Sequence, residues 1–190
     1  MAKASAEKVE KRNRPASAPV PSAELAEPKK EGYVSGKQLQ VVEFLLGKEH
    51  YAIDLFDVRE VVEYTSITKL PNTPSYMKGI IDLRGEITTI IDLKERLNII
   101  EKSDLPEENS RIIVLDEKIT KAKTGIMVDD VLAVSTFGRG DIDSTSASGA
   151  REDAAILGII KKKIKEREQE RHTLIIWIDI RHLIQNIGEG

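Results

Sequence analysis

Cysteine is absent from this chain of 190 residues, and aromatic side chains make up only 4% of it. Without cysteine there are no disulfides, no thiolate metal ligands and no cysteine nucleophile, which fits a reducing compartment. Long apolar runs are missing as well, since none approaches the ~20 residues that a membrane-spanning helix needs. Residues 1–20 also lack the apolar stretch of a signal peptide. We therefore expect a soluble, cytoplasmic protein that is not inserted in a membrane.

Charge of one sign does not dominate either, because the chain has 29 basic and 32 acidic residues and therefore a net charge of -3. No field of the whole molecule therefore points to nucleic acid or to anionic lipid, and any partner must be recognised locally. Hydrophobic residues make up 40% of the chain, which is enough for one sizeable core or for two small cores that share a boundary.

Residues 1–36 differ in composition from the rest of the chain. They hold four of the seven prolines and are dominated by Ala, Lys, Glu and Ser. Such a segment cannot bury enough apolar surface to offset the entropy cost of ordering its chain. We predict a disordered tail over residues 1–36 and a globular domain over residues 37–187.

The pattern from Gln38 onward is typical of a mainly β protein, because short alternating or wholly apolar runs are separated by turn residues. Eight or more strands at this spacing favour barrels or a sandwich. The predicted strands lie in 38–46, 51–54, 79–93, 111–116, 124–137, 155–160 and 173–180, and the ambiguous segment 55–62 is expected to form a short helical turn that leads into a strand. The other predicted elements are a rigid loop at 70–76, helical turns at 93–99, an amphipathic helix at 180–187, and exposed loops or hairpins at 138–153 and 161–172.

No segment carries the residues of a catalytic or metal site. The three histidines, His50, His172 and His182, are scattered without a partner at metal-ligand spacing. Asp129 and Asp130 are adjacent, so in a strand their carboxylates point to opposite faces and cannot share a substrate. A turn at the end of a strand is the favoured interpretation of VDD at 128–130. We therefore expect a protein that is not an enzyme and that binds no cofactor and no metal.

The charged segment KKKIKEREQERH at 161–172 is the candidate for nucleic-acid binding. It holds six basic and three acidic residues, but Trp177 is the only aromatic residue near it. Nucleic-acid sites favour denser basic faces with stacking aromatics, so we expect a solvated hairpin or a partner contact and no bound nucleic acid. Two less favoured alternatives stay open: a nucleic-acid-binding SH3-like or OB-like barrel that uses this segment, and an enzyme of an unrecognised type.

The segments QVVEFLLGKEHYAIDLFDVREVVEY and ITKLPNTPSYMKGIIDLRGEITTIIDL, followed by GIMVDDVLAV, LGII and LIIWIDIRHLI, resemble a specific family. In this order they are similar to the CheW family of chemotaxis coupling proteins, and the resemblance covers residues 38–187. Its most specific part is a pattern of fixed spacings that is met by Pro71, Pro74, Tyr76, Gly79, Leu83, Arg84, Gly85, Asp92 and Leu93.

The resemblance implies two small five-stranded SH3-like barrels side by side, with short helices, a C-terminal helix and an apolar groove between the barrels. It implies a non-catalytic adaptor that couples the cytoplasmic tip of methyl-accepting chemoreceptors to the regulatory domain of the histidine kinase CheA, at membrane receptor arrays. Each contact is expected to bury about 1,200 Å² or less and to have a micromolar Kd, and multivalency in the array is expected to raise the overall affinity. Weak or no stable homo-oligomerisation is expected.

This chain also departs from the family pattern. Asp82 stands where the family usually has Asn, and Thr89 stands where proline is usual. The segment before residue 150 lacks the usual proline pair, and the charged segment 161–172 is longer than typical. These differences bear on the partner surface rather than on the fold.

Arg84 is the unexpected residue in the apolar segment GIIDLRGEITTIIDL. In one extended strand Asp82, Arg84 and Glu86 share a face, and Gly85 admits a bulge that turns the guanidinium outward or toward a neighbour. The residues alone favour an ordinary surface ion pair worth about 0 to 1 kcal/mol. The resemblance instead implies that Arg84 and Glu60 take part in coupling to partners.

The receptor-binding or kinase-binding positions that the resemblance implies surround the groove between the barrels. They are Val58, Glu60, Gly79, Arg84, Gly85, Gly125, Val131 and Val134. The residues alone leave the valines open between core and contact roles. A helical hairpin docked in such a groove is held by apolar anchors, with charges fixing its register.

Overall fold

The computed structural model describes residues 38–101, 105–120, 122–144, 155–166 and 169–185. The predicted tail at 1–36 lies outside these residues, as do parts of the segments 138–153 and 161–172. The described residues form eleven strands: β1 Gln38–Leu46, β2 Glu49–Asp54, β3 Val58–Glu63, β4 Met77–Leu83, β5 Glu86–Asp92, β6 Arg111–Leu115, β7 Thr124–Val128, β8 Asp130–Gly138, β9 Ile142–Asp143, β10 Ile156–Glu166 and β11 Gln169–Ile178. Two short α-helices, α1 Leu93–Arg96 and α2 Ile180–Gln185, and 3₁₀ turns at Leu55–Asp57, Glu107–Asn109 and Arg139–Asp141 complete the described elements.

The strands form two sheets, which confirms the predicted mainly β fold. The first sheet has six strands in the order β8-β1-β2-β11-β10-β9, and the second has five in the order β3-β6-β7-β5-β4. Neighbouring strands are antiparallel except for β2 with β11 and β5 with β7, which are parallel. Among the described residues, the chain begins in the first sheet, builds the second sheet with β3 to β7, and then returns to the first sheet with β8 to β11.

The second sheet is closed into a barrel by a bridge between its two edges. Thr68, which follows edge strand β3, pairs with Ile80 of edge strand β4 through two backbone hydrogen bonds of 2.9 Å. Gly79 beside this bridge has a φ of 146°, and a Cβ on it would lie only 2.2 Å from the Thr68 carbonyl oxygen. Glycine at position 79 therefore permits the close approach that closes the barrel.

The central strands bury both of their faces, which explains why they read as wholly apolar runs in the sequence. On β6, Ile112 and Val114 face the inside of the second barrel, whereas Ile113 and Leu115 face a larger cluster shared by the two sheets. The first sheet has an interior of its own, built around Trp177. The shared cluster consists of Val42, Phe44, Leu46, Ile53, Ile91, Leu93, Ile113, Leu115, Ile126, Val128, Ile178, Ile180, Leu183 and Ile184.

Each crossing of the chain between the sheets carries a buried aspartate that is paired with a cation. At the first crossing, Asp57 Oδ1 accepts hydrogen bonds from Arg181 Nε at 2.9 Å and Nη2 at 2.5 Å, which ties α2 to the crossing. At the second crossing, Asp129 accepts from Lys94 Nζ at 2.5 Å and from the Gly47 amide at 2.6 Å. These bonds fix both crossings against short helices, so the two sheets share a defined boundary.

Two segments that read as single strands are divided in the structure. The segment 124–137 breaks at Asp129 into β7 and β8, which belong to different sheets. The segment 79–93 was predicted as one strand, which was wrong, because β4 and β5 form a hairpin with Arg84 and Gly85 at its turn. The charged segment 161–172 was predicted as a loop or hairpin, and the hairpin is confirmed by the pairing of β10 with β11 from Ile156 to Glu166.

Asp54 is buried at the end of β2, where its Oδ1 accepts a hydrogen bond from the Phe56 amide at 2.9 Å. Burial raises the pKa of Asp54 above its ordinary 3.8, although the Phe56 hydrogen bond and Arg181 oppose the shift. A carboxyl with a raised pKa contributes stability that is present below the unfolded pKa and is lost as pH rises through the folded pKa. At pH 7 the ionised Asp54 therefore costs stability.

We expect Asp54→Asn to raise the free energy of unfolding at pH 7 by up to about 1 kcal/mol, because asparagine keeps the oxygen acceptor without the charge. Urea unfolding at pH 7 and pH 4 checks this prediction, and the gain should shrink at pH 4. A loss of stability at pH 7 contradicts it.

Candidate functional site

Arg84 lies in the turn between β4 and β5 rather than within a strand. Leu83 pairs with Glu86, so Arg84 and Gly85 are the two loop residues of the hairpin. Their φ angles are 56° and 85°, and positive φ at both loop positions is what a type I′ turn requires. The expected shared face of Asp82, Arg84 and Glu86 was wrong for this reason. The turn was hard to see because arginine replaces the Asn or Asp that usually marks it.

The side chain of Arg84 reaches across to edge strand β3 and pairs with Glu60. Its Nη2 lies 2.9 Å from Glu60 Oε2, and its Nη1 donates to Oε1 at 3.4 Å. The Arg84 side chain is 75% exposed and that of Glu60 only 24%, so the guanidinium is presented and the carboxylate supports it. An exposed pair contributes only about 0 to 1 kcal/mol to stability, but the forked geometry fixes the direction of the guanidinium.

The pair lies at the rim of a depression at one end of the second barrel. Glu60 and Arg84 line it together with the buried side chains of Thr88 and Val114. The rest of the rim carries three further ion pairs. These are Arg59–Glu117 at 2.5 Å, Lys123–Glu117 at 3.6 Å and Lys123–Glu86.

Charges of both signs alternate along this rim, and each has a partner of the opposite sign. The bond from Lys123 lowers the pKa of the Glu86 carboxyl, so Glu86 stays ionised at neutral pH. A rim of paired charges offers no concentrated field for a phosphate or a metal ion. It suits a protein partner whose own charges fix the register of docking.

The structure places Gly79 and Gly125 inside the second barrel rather than at its surface. A Cβ on Gly125 would lie 2.8 Å from Ile112 Cγ2 and 3.1 Å from Ile90 Cδ1. Both glycines are buried and serve close packing, Gly79 at the barrel closure and Gly125 in its core. Gly85 is exposed in the turn beside Arg84.

None of the three valines Val58, Val131 and Val134 lines the depression beside Arg84. Val58 and Val131 are half-buried and pack against the cluster that the two sheets share. Val134 is 60% exposed on β8, which is an edge strand of the first sheet, and Leu132 is exposed on the same face. The structure therefore brings Glu60, Arg84 and Gly85 together and separates them from Val134.

Several residues of this site could not be found from the sequence. Glu117 and Lys123 lie in the run DEKITKAK, which reads as an ordinary charged loop, and only the fold brings it to the barrel rim. Two exposed apolar residues outside the depression, Leu132 and Ile87, could not be found either, because their strand patterns do not distinguish them from core residues.

The described part of the chain shows no group of three or more His, Cys, Asp or Glu side chains that could hold a metal ion. None of the helices in the described ranges is both long and apolar enough to pass through a bilayer. Of the histidines, His50 is half-buried, and His172 and His182 are exposed.

Comparison with known proteins gives a consistent picture. A family model described as a CheW-like domain matches residues 40–188. The chain is 33% identical over 115 residues to the chemotaxis protein CheW of Treponema pallidum, covering 58% of this chain and 65% of that protein. It is 40% identical over 88 residues to the chemotaxis protein CheW of Klebsiella aerogenes, covering 46% of this chain and 51% of that protein. The matches thus span between half and two thirds of these relatives.

A solved structure matches over more of its length. The crystal structure of the scaffolding protein TtCheW from Thermoanaerobacter tengcongensis is similar with a TM-score of 0.63 and 35% sequence identity. That match covers 80% of this chain and 95% of the solved chain.

Proposed function

The chain belongs to the CheW-like family, and we propose that it is a non-catalytic adaptor in chemotaxis signal transduction. In this role it couples the cytoplasmic tip of methyl-accepting chemoreceptors to the regulatory domain of the histidine kinase CheA, at receptor arrays, and so controls kinase activity. The observation that carries the proposal is the Glu60–Arg84 pair, because a mostly exposed guanidinium is held in a fixed direction where no core packing requires it.

An adaptor needs separate contact regions for its partners, and the two sheets supply them. The first region is the rim of the second barrel around Arg84, with its paired charges. The second is edge strand β8, where Leu132 and Val134 expose apolar surface next to a strand edge that pairs with no other strand of the described residues. Val58 and Val131, at the cluster shared by the sheets, supply apolar contacts for a helical hairpin that docks along the boundary.

The charged hairpin does not favour the nucleic-acid alternative. Lys161 pairs with Asp143 at 3.4 Å, and Lys162 donates to both carboxylate oxygens of Glu43 at 2.8 Å. These two cations are therefore engaged by acidic side chains of the same chain. Phosphate binding depends on cations that can neutralise the backbone of the nucleic acid.

Isothermal titration of the chain with a receptor signalling fragment, and separately with the CheA regulatory domain, tests the proposal. We expect a micromolar Kd for each contact. Single contacts in an array can be weak, because multivalency raises the overall affinity. Analytical ultracentrifugation should show a monomer or a weak dimer. Absence of binding to both partners would contradict the proposal, and salt-dependent retention on DNA at 0.2 M salt would favour the nucleic-acid alternative.

A further inference from the structure

The turn that presents Arg84 is bonded by the side chain of Asp82. Asp82 Oδ1 accepts a hydrogen bond from the Gly85 amide, with 2.6 Å between donor and acceptor. Asp82 lies in β4 opposite Ile87, and its side chain is exposed, so no core contact explains it. The carboxylate thus satisfies a loop amide three residues further along the chain, as aspartate side chains commonly do in turns.

This hydrogen bond stabilises a backbone conformation that is otherwise unfavourable. Arg84 has a φ of 56°, in the left-handed region where a residue with a long side chain is disfavoured. Packing gives the turn little support, since a Cβ placed on Gly85 would meet no atom within 4 Å. A turn with a disfavoured residue and open space around Gly85 depends strongly on its hydrogen bonds.

The direction of the guanidinium depends on this backbone. If Arg84 relaxed to negative φ, its Cα–Cβ bond would point elsewhere and the guanidinium would leave Glu60, which it contacts at 2.9 Å. We propose that Asp82 is a positioning residue for docking: it holds Arg84 in the left-handed conformation and thereby keeps the guanidinium on Glu60. The docking part of this inference rests on the adaptor function proposed above.

Three variants separate this role from others. Asp82→Ala removes the acceptor, whereas Asp82→Asn keeps an oxygen that accepts the same hydrogen bond. Glu63→Ala is the matched control, because it removes an exposed carboxylate from another strand of the same barrel. A loss of affinity that depends only on net charge appears in all three variants, whereas a loss that comes from a disrupted turn appears in Asp82→Ala alone.

The first readout needs no partner. Hydrogen exchange of the Gly85 amide, followed by NMR, should be about tenfold or more faster in Asp82→Ala than in the wild type. In Asp82→Asn and Glu63→Ala it should stay within about twofold of the wild type. Unchanged exchange of the Gly85 amide in Asp82→Ala overturns the inference.

The second readout is affinity for the CheA regulatory domain and for the receptor signalling fragment. Asp82→Ala should weaken the contact that uses Arg84 about tenfold, and Asp82→Asn should restore it to within about twofold. Arg84→Ala removes the guanidinium without adding a repulsive carboxylate, so weak binding should remain measurable. In this background Asp82→Ala should have no further effect on affinity. An equal loss in both backgrounds means that Asp82 touches the partner itself, which overturns a positioning role.

The two proposals fail differently. If the wild type binds neither partner but Gly85 exchange responds as expected, the adaptor function is wrong and the assignment of Asp82 to the turn is supported.

Discussion

Arg84→Glu should abolish the capture of a receptor signalling domain or of CheA while leaving the thermal unfolding midpoint within a few degrees. The substitution removes the exposed guanidinium donors and places a second carboxylate beside Glu60. Both the ion pair and the fixed direction of the side chain at position 84 are therefore lost. Stability should change little, because an exposed pair of this kind contributes only about 0 to 1 kcal/mol. Backbone strain in the turn is unchanged, since arginine and glutamate are both unbranched at Cβ.

Arg139→Glu is the matched control for this prediction. Arg139 is exposed in a 3₁₀ turn after β8, in the part of the chain that builds the first sheet, so the same charge reversal occurs away from the rim. Pull-down with purified components and a thermal melt of each variant give the comparison. Unfolding of Arg84→Glu would show that Arg84 is structural, and equal loss of capture in Arg139→Glu would show a mere effect of net charge.

Lys162→Met should destabilise the protein by about 3–5 kcal/mol, because it leaves a buried carboxylate without its partner. The Glu43 side chain is 1% exposed and lies on the face of β1 that also carries Leu39 and Val41. Both of its oxygens accept hydrogen bonds from Lys162 Nζ at 2.8 Å. This pair anchors the root of the β10–β11 hairpin to the interior of the first sheet.

Two further variants make the Lys162 prediction specific. Lys163→Met changes the neighbouring exposed lysine, which points to the other face of β10, and should stay within about 0.5 kcal/mol of the wild type. Glu43→Met combined with Lys162→Met should recover most of the loss, because apolar groups of similar size often replace a buried ion pair at little cost. Urea unfolding measures all three. Equal effects of Lys162→Met and Lys163→Met contradict the role of the pair.

Most of the fold could be predicted because the strands carry their own patterns. The hairpin of β1 and β2, the helical turn before β3 and the loop at 70–76 all follow from local sequence. The break at Arg84 was missed because an arginine with positive φ is unusual, whereas the adjacent aspartates of VDD at 128–130 did predict a turn at the strand end where β7 ends and β8 begins. Positive φ and a change of sheet are set by tertiary contacts, and these leave little trace in a single sequence.

The candidate site could be predicted only in part. The resemblance indicates Glu60 and Arg84, and the structure brings them together. The resemblance also indicates Gly79 and Gly125 as contact positions, but the structure buries both, and their surroundings leave room only for glycine. The rim charges Glu117 and Lys123 depend on a long-range approach of loop and barrel, so no spacing rule finds them.

The adaptor function requires that one molecule of this chain bind a receptor and a kinase at the same time, and a three-component pull-down measures this most directly. An immobilised receptor signalling fragment is incubated with CheA, with and without the chain. The proposed function predicts that CheA is retained in clear excess over background only when the chain is present, and that Arg84→Glu abolishes this gain while Arg139→Glu does not. Retention of CheA that is the same with and without the chain would contradict it.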